Sequence, residues 1–188
     1  LKSREGSMIV DPYHTEVGLN LGKLSADVAL VTHDHAGHNN ATAISDVRKV
    51  VEGPGEYEVR DIMINGIRTY HDKQKGELRG KNTTYLIRID GVSVCHLGDL
   101  GHILTSSQVD ELGEVDVLLV PVGGESTIGA AEASEIISLI DPRIVIPMHY
   151  QFDGVRPDLD TLDRFLREMG AAGVEAAARL VVTHSSLP

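Results

Sequence analysis

Three imidazoles fall within the stretch Val31-Thr32-His33-Asp34-His35-Ala36-Gly37-His38. Imidazole is the commonest side-chain metal ligand, and the spacing His33-x-His35-x-x-His38 brings three rings within reach of one or two cations. The competing reading is a polar loop whose histidines only cap a following helix. One histidine would favour that reading; three at this spacing after an apolar run favour a metal. Three further metal-competent residues each follow an expected strand: His71 after 67–70, Asp99 after 92–97 and His149 after 144–146. Taken singly, each is more simply structural. They gain weight by recurring at equivalent places, because ligands gather on loops held by the strands behind them. Asp99 sits between glycines in Leu97-Gly98-Asp99-Leu100-Gly101, where the backbone can turn sharply. A carboxylate there could bridge two cations.

The elements that must position these residues are short. Asp27 to Val31 is an apolar, β-branched run, the pattern of a buried strand ending at the histidine loop. Residues 7–10 read as a strand stopped by Asp11-Pro12, with Asp11 either a turn-former or a buried acceptor steadying a neighbouring loop. A short helix is expected at 42–47 and a strand at 49–51, before the turn Gly53-Pro54-Gly55. Segments 57–64 and 67–70 read as a hairpin joined at Asn65-Gly66, and 83–89 and 92–97 as another joined at Asp90-Gly91. The first half therefore reads as a run of antiparallel hairpins.

Beyond Asp99 the pattern changes. A helix is expected at 105–112 and buried strands at 117–120 and 144–146. Ala133, Ile136, Ile137 and Ile140 form one helical stripe, stopped by Pro142. Leu159, Leu162, Phe165, Leu166 and Met169 form another, bounded by Pro157 and Gly170. Residues 180–183 read as a closing strand. Strands alternating with helices predict an α/β (α+β) fold, sheets with helices on their outer faces.

The length of 188 residues suits a single domain, 1–188, with a sizeable core. Net charge is −11, which argues against nucleic acid as a partner. An acidic protein can still act on an anionic substrate if bound cations supply the positive field. The lone Cys95 rules out an internal disulfide and fits a reducing compartment. No apolar run approaches the ~20 residues of a membrane span, and no signal-peptide pattern is expected from the residues at the start. A cytoplasmic protein acting on a small molecule, with no nucleic acid or membrane partner, is expected. Its oligomeric state is not readable. The chain starts at Leu1 rather than Met, so a preceding piece is expected.

His33-x-His35-x-x-His38, a later His, Gly98-Asp99 and a final His after a strand together resemble the metallo-β-lactamase superfamily. Val10-Asp11-Pro12, Gly80-Lys81-Asn82-Thr83, Cys95-His96-Leu97-Gly98-Asp99 and Ile146-Pro147-Met148-His149-Tyr150 are similar to its small prokaryotic branch of zinc-dependent hydrolases. That branch is itself similar to ascorbate-phosphate lactonases and N-acyl-phosphatidylethanolamine phospholipases. The resemblance implies a four-layer αββα sandwich with the metals at one edge of its sheets, here lacking about one initial strand. It implies that His33, His35 and His71 bind a first metal, that Asp99 bridges, and that His38 and His149 serve a second. The choice between His71 and His96 goes to His71 on the spacing of the phospholipase-like branch, leaving His96 packed beneath the loop. Asp11 would support the metal loop from behind. Zinc is the expected ion, one or two, with manganese or ferrous iron as alternatives.

One position departs from the family motif His-x-His-x-Asp-His: Gly37 stands where the Asp should be. Glycine offers no ligand, so the second site keeps only His38, His149 and Asp99. Three ligands can still hold zinc, at reduced affinity. The expected activity is hydrolysis of an ester, lactone or phosphodiester by metal-activated water, oriented by Asp99. The loop at Gly123-Gly124 could offer backbone N–H groups to an oxyanion, or be an ordinary strand-to-helix connection. His102 and Tyr150 are candidate pocket residues. The alternative reading is a metal-binding module that has lost turnover with the missing Asp.

Overall fold

The computed structural model of the protein describes residues 1–155 and 158–188. Pro157, expected to bound the last helix, lies outside the described residues. Two sheets face each other. In the smaller, β1 (Met8–Val10), β3 (Val28–Val31) and β5 (Lys49–Glu52) run parallel in the order β1-β3-β5. The larger holds β6 (Gly55–Val59), β7 (Ile62–Tyr70), β8 (Lys81–Ile89), β9 (Val92–His96), β10 (Val117–Pro121) and β11 (Ile144–Met148). Its order is β11-β10-β9-β8-β7-β6. The meander β6 to β9 is antiparallel, and β9, β10 and β11 are parallel to one another. A two-stranded parallel pair, β2 (Leu24–Ser25) and β4 (Ile44–Ser45), stands apart.

Side chains alternate across the strands, so each sheet sorts its apolar residues by face. Met8, Val28, Leu30 and Val51 of the small sheet pack between the sheets against Ile62, Ile64, Tyr85 and Ile87. The opposite face of the large sheet, with Leu86, Cys95, Leu118 and Val120, lies under three helices. These are α1 (Ser106–Leu112), α2 (Ala130–Ile140) and α3 (Leu162–Glu168). Thr105 caps α1 by accepting from Gln108 N–H, and the Gln108 side chain accepts from Thr105 N–H in return. The stripe on α2 buries Ala133, Ile136 and Ile140. Outside the small sheet the fourth layer is thin: a 3-10 turn at Ala41–Ala43 and Val47 cover Ala29 and Val31. The short helix expected at 42–47 is therefore a 3-10 turn followed by β4.

Three other expectations change. The first half is not all hairpins, because β1, β3 and β5 pair in parallel. The turn expected at Asn65-Gly66 lies earlier, where Val59 pairs with Ile62 and Arg60 takes φ 56°. Strand β7 runs straight through Gly66, which is glycine for a different reason: a Cβ there would lie 2.7 Å from the Gly53 carbonyl oxygen. Residues 180–183 form no strand, and Leu180 and Val181 are exposed. No helix among the described residues is long and apolar enough to cross a membrane.

Candidate metal centre

The parallel strands bring their C-terminal ends to one edge of the sandwich, and the long strand β7 ends there too. His33 follows β3, His71 follows β7, Asp99 lies three residues past β9, and His149 follows β11. Their side chains meet at one atom. Oδ2 of Asp99 lies 3.2 Å from Nε2 of His38, 3.2 Å from that of His71, 3.6 Å from that of His149 and 3.8 Å from that of His33. Asp99 is 4% exposed. The donor atoms form two groups sharing the carboxylate, His33–His71–Asp99 and His38–Asp99–His149, each within 4.8 Å. His35 joins through a third group with His33 and His38. Its ring stacks on that of His33 at 5.9 Å, and its Nδ1 accepts from Gly37 N–H.

Backbone shape does much of the positioning. Asp11 sits at φ 51°, turning its carboxylate under the histidine loop. One oxygen accepts Thr32 N–H at 2.8 Å; the other accepts Thr32 Oγ1–H at 2.8 Å and bonds Nδ1 of His38 at 2.9 Å. With Nδ1 committed to Asp11, His38 turns Nε2 to the centre. Asn82 clamps the next loop: its amide donates to Leu97 O and Thr69 Oγ1, and its Oδ1 accepts Asp99 N–H. Tyr85, fully buried, donates its hydroxyl to Val31 O and ties the large sheet to the end of β3. Glycines let backbone approach the converging residues closely. A Cβ at Gly101 would lie 2.4 Å from the His71 carbonyl carbon, and one at Gly123 would lie 2.1 Å from the His149 carbonyl oxygen. His149 itself holds φ 52°.

Charge is crowded here. Burial, then the neighbouring His38, pushes His33 down to about 4. Burial also opposes charge on His38, but its bonds to Asp11 and Asp99 win and carry it up to about 10. Burial lowers His149 as well. Asp99 is held well below the carboxylate range: burial opposes this, and hydrogen bonds from His38 and His71 outweigh it. The carboxylate thus faces two rings, His33 and His149, that burial holds towards the neutral form, beside a His38 held towards the charged one. Nε2 of His33 is buried with no hydrogen-bond partner, a state that costs about 1–3 kcal/mol unless something fills it. A soft or borderline cation fits that donor set.

The other residues singled out from the sequence lie elsewhere. His96 is buried a step back, with Nδ1 accepting Gly98 N–H. His102 accepts Tyr70 N–H on Nε2 and does not line the cavity over the centre. Gly124 N–H already goes to Ile128 O, and neither Gly123 nor Gly124 lines that cavity. Tyr150 does line it. Asp34, beside the ligands in sequence, accepts from Asn39 and joins no donor group. The cavity, about 890 Å³, has an apolar wall including Val17, Leu19, Phe152 and Val155. Sequence reasoning passed over Thr32 and the clamp role of Asn82, whose parts depend on partners distant in the chain.

The chain is similar to known proteins in sequence and in fold. The family described as the beta-lactamase superfamily domain matches residues 1–149. A UPF0173 protein of Pyrococcus furiosus is 35% identical over 175 residues, covering 80% of this chain and 78% of its own. A protein of Thermococcus kodakarensis named a UPF0173 metal-dependent hydrolase is 29% identical over 176 residues, covering 78% and 79%. A crystal structure from Thermotoga maritima, titled as a candidate Zn-dependent hydrolase of the metallo-beta-lactamase superfamily, is 39% identical with a TM-score of 0.69. It covers 85% of this chain and 75% of that one.

Proposed function

The chain belongs to the β-lactamase superfamily, and on that premise we propose that it is a metal-dependent hydrolase, with zinc as its cation and a small ester, lactone or phosphodiester as substrate. One observation carries this reading: four imidazole nitrogens from distant segments converge on a single oxygen of Asp99. His33, His35 and His71 would hold one ion, and His38 with His149 a second, with Asp99 between them. The chemistry a cation held there would supply is polarisation of a carbonyl or phosphoryl oxygen and a lowered pKa for water. Asp99 accepts a hydrogen bond from the attacking water and aligns it. Tyr150 lines the cavity and would be the group to give a proton to the leaving group. The same reading puts the protein in the cytoplasm, without a nucleic-acid or membrane partner.

Gly37 supports a second reading, a cation-binding module with little turnover, because it leaves the group His38–Asp99–His149 one carboxylate short of the family motif. A Cβ at Gly37 would lie 3.3 Å from Nδ1 of His35, a flexible ring that can yield a few tenths of an ångström. The deciding experiment measures metal content by elemental analysis and then screens ester, lactone and phosphodiester substrates, with Gly37→Asp alongside. Hydrolysis abolished by chelator supports the enzyme. Bound metal with no turnover in either protein across the panel supports the module, and a chain purified without metal overturns both.

A further inference from the structure

A second cleft, about 750 Å³, adjoins the metal centre, and its charge is opposite to that of the chain as a whole. The protein carries 28 acidic against 17 basic residues. This cleft is lined by Arg68, Lys75, Arg79 and Lys81, with only Asp34 and Glu52 against them. Among the described residues, none of the four cations lies within ion-pair distance of a carboxylate. Arg4, Arg48, Arg60, Lys73, Arg143 and Arg164 do, and cations such as Lys23, Lys49 and Arg88 that are likewise without a carboxylate do not line the cleft. Unneutralised cations gathered on a concave wall focus a positive field into it.

The fold builds this wall rather than leaving it to chance. Arg68 pairs with Thr83 across β7 and β8, so Lys81, two residues from Thr83, shares its face of the sheet. Lys75 and Arg79 stand on the loop that joins these strands. Asp72 fixes that loop: one carboxylate oxygen accepts N–H from Gln74 and Gly76, the other from Leu78 and Arg79. Asp72 follows His71 directly, so one short segment carries both a metal-centre ring and the cationic loop. Arg79, His33 and Asp34 line this cleft and the cavity over Asp99 alike, so the two spaces lie side by side across these three side chains.

We propose that this cleft is the subsite for an anionic group on the substrate, a carboxylate or a phosphate, whose reacting bond lies at Asp99. The substrate is then an anionic ester, lactone or phosphodiester, with any apolar part against Val17, Leu19 and Phe152. This rests on the hydrolase reading, and the test separates the two. Three esters with a common leaving group and equal length are compared on the metal-loaded protein, ending in a neutral group, a carboxylate or a phosphate. The expected kcat/KM is at least about tenfold higher for one anionic ester than for the neutral one, and this ratio shrinks as salt rises. Arg68→Gln with Lys81→Gln brings the ratio down by about tenfold. The larger response, phosphate or carboxylate, identifies the group.

Equal rates on all three esters overturn the subsite and leave the hydrolase standing. If none is cleaved, the hydrolase reading fails on this panel, and inorganic phosphate decides the cleft by amide NMR of the metal-loaded protein. Shifts at Gly76, Gly80 and Thr83, weakened about tenfold in the double variant, support the subsite. Shifts confined to the residues around Asp99, equal in both proteins, overturn it.

Discussion

The two ends of β3 use nearly the same hydrogen bonds for different purposes. At its start, Asp27 accepts Ser7 N–H and Ser7 Oγ–H on one oxygen. At its finish, Asp11 accepts Thr32 N–H and Thr32 Oγ1–H. Each pairing is an aspartate of one parallel strand's end holding a hydroxyl residue of its neighbour's, and each locks β1 to β3. They part company at what comes next. The other oxygen of Asp27 meets Arg48 and Arg60, two largely exposed guanidiniums, and beyond them the contacts lead only to the Glu5 backbone carbonyl. The hydroxyl-bound oxygen of Asp11 goes on to His38, whose far nitrogen faces Asp99. One end is a closed account of charge, while the other hands its polarity inward to a centre with donors left over. A polar cluster is therefore not a site by virtue of being polar; the unfilled lone pair on His33 is what separates the two ends.

The largest expected effect breaks the comparison at its centre. Asp99→Asn should cost more than about 100-fold in metal affinity, beyond the range of about 10–100-fold for residues that only support a ligand. Equilibrium dialysis against zinc measures it, and any chelator-sensitive hydrolysis should disappear with it. Next comes the matched pair. Asp11→Asn should weaken metal binding by about 10–100-fold, because Nδ1 of His38 loses its anchor. Asp27→Asn should lower the thermal midpoint and leave metal affinity unchanged. Equal metal loss in both variants would dissolve the distinction between the two ends.

The smallest effect is one of pH. Hydrogen bonds from Ser7 hold the Asp27 carboxyl below its ordinary value; burial opposes them, and Arg60 and Arg48 add to the lowering. A lowered native value means stabilisation that is present above the ordinary carboxylate range and lost as pH falls through the native value. The stability gap between wild type and Asp27→Asn should therefore be full at neutral pH and close on acidification. Urea unfolding at a series of pH values reads it directly.

The residues that gather at Asp99 were visible in the sequence because metal chemistry narrows the choice of candidates to a few side chains, and the strand ends carried them in plain view. The helical stripe on α2 and the Asp90-Gly91 turn were legible for a similar reason: both are set by residues close together in the chain. Asp90 and Gly91 both take positive φ, as that turn requires. What was not legible depends on distant partners. Gly66 looks like half of a turn, yet it is glycine because Gly53 passes close over it. Leu180 to Thr183 has the composition of a strand and finds no edge to join. Asn82 gives no local sign that it bonds to Leu97 and Asp99 on the neighbouring loop. Composition shows what a segment could do, whereas pairing is decided by the rest of the molecule.

The rings around Asp99 come from both leaves of the sandwich: His33 and His38 from the small sheet's edge, His71 and His149 from the large one's. An ion seated among them would act as a rivet through the two leaves, and no fragment of the chain could bind it well alone. Its affinity would be drawn from the same free energy that closes the sandwich, so stripping the ion should loosen the whole molecule rather than one loop.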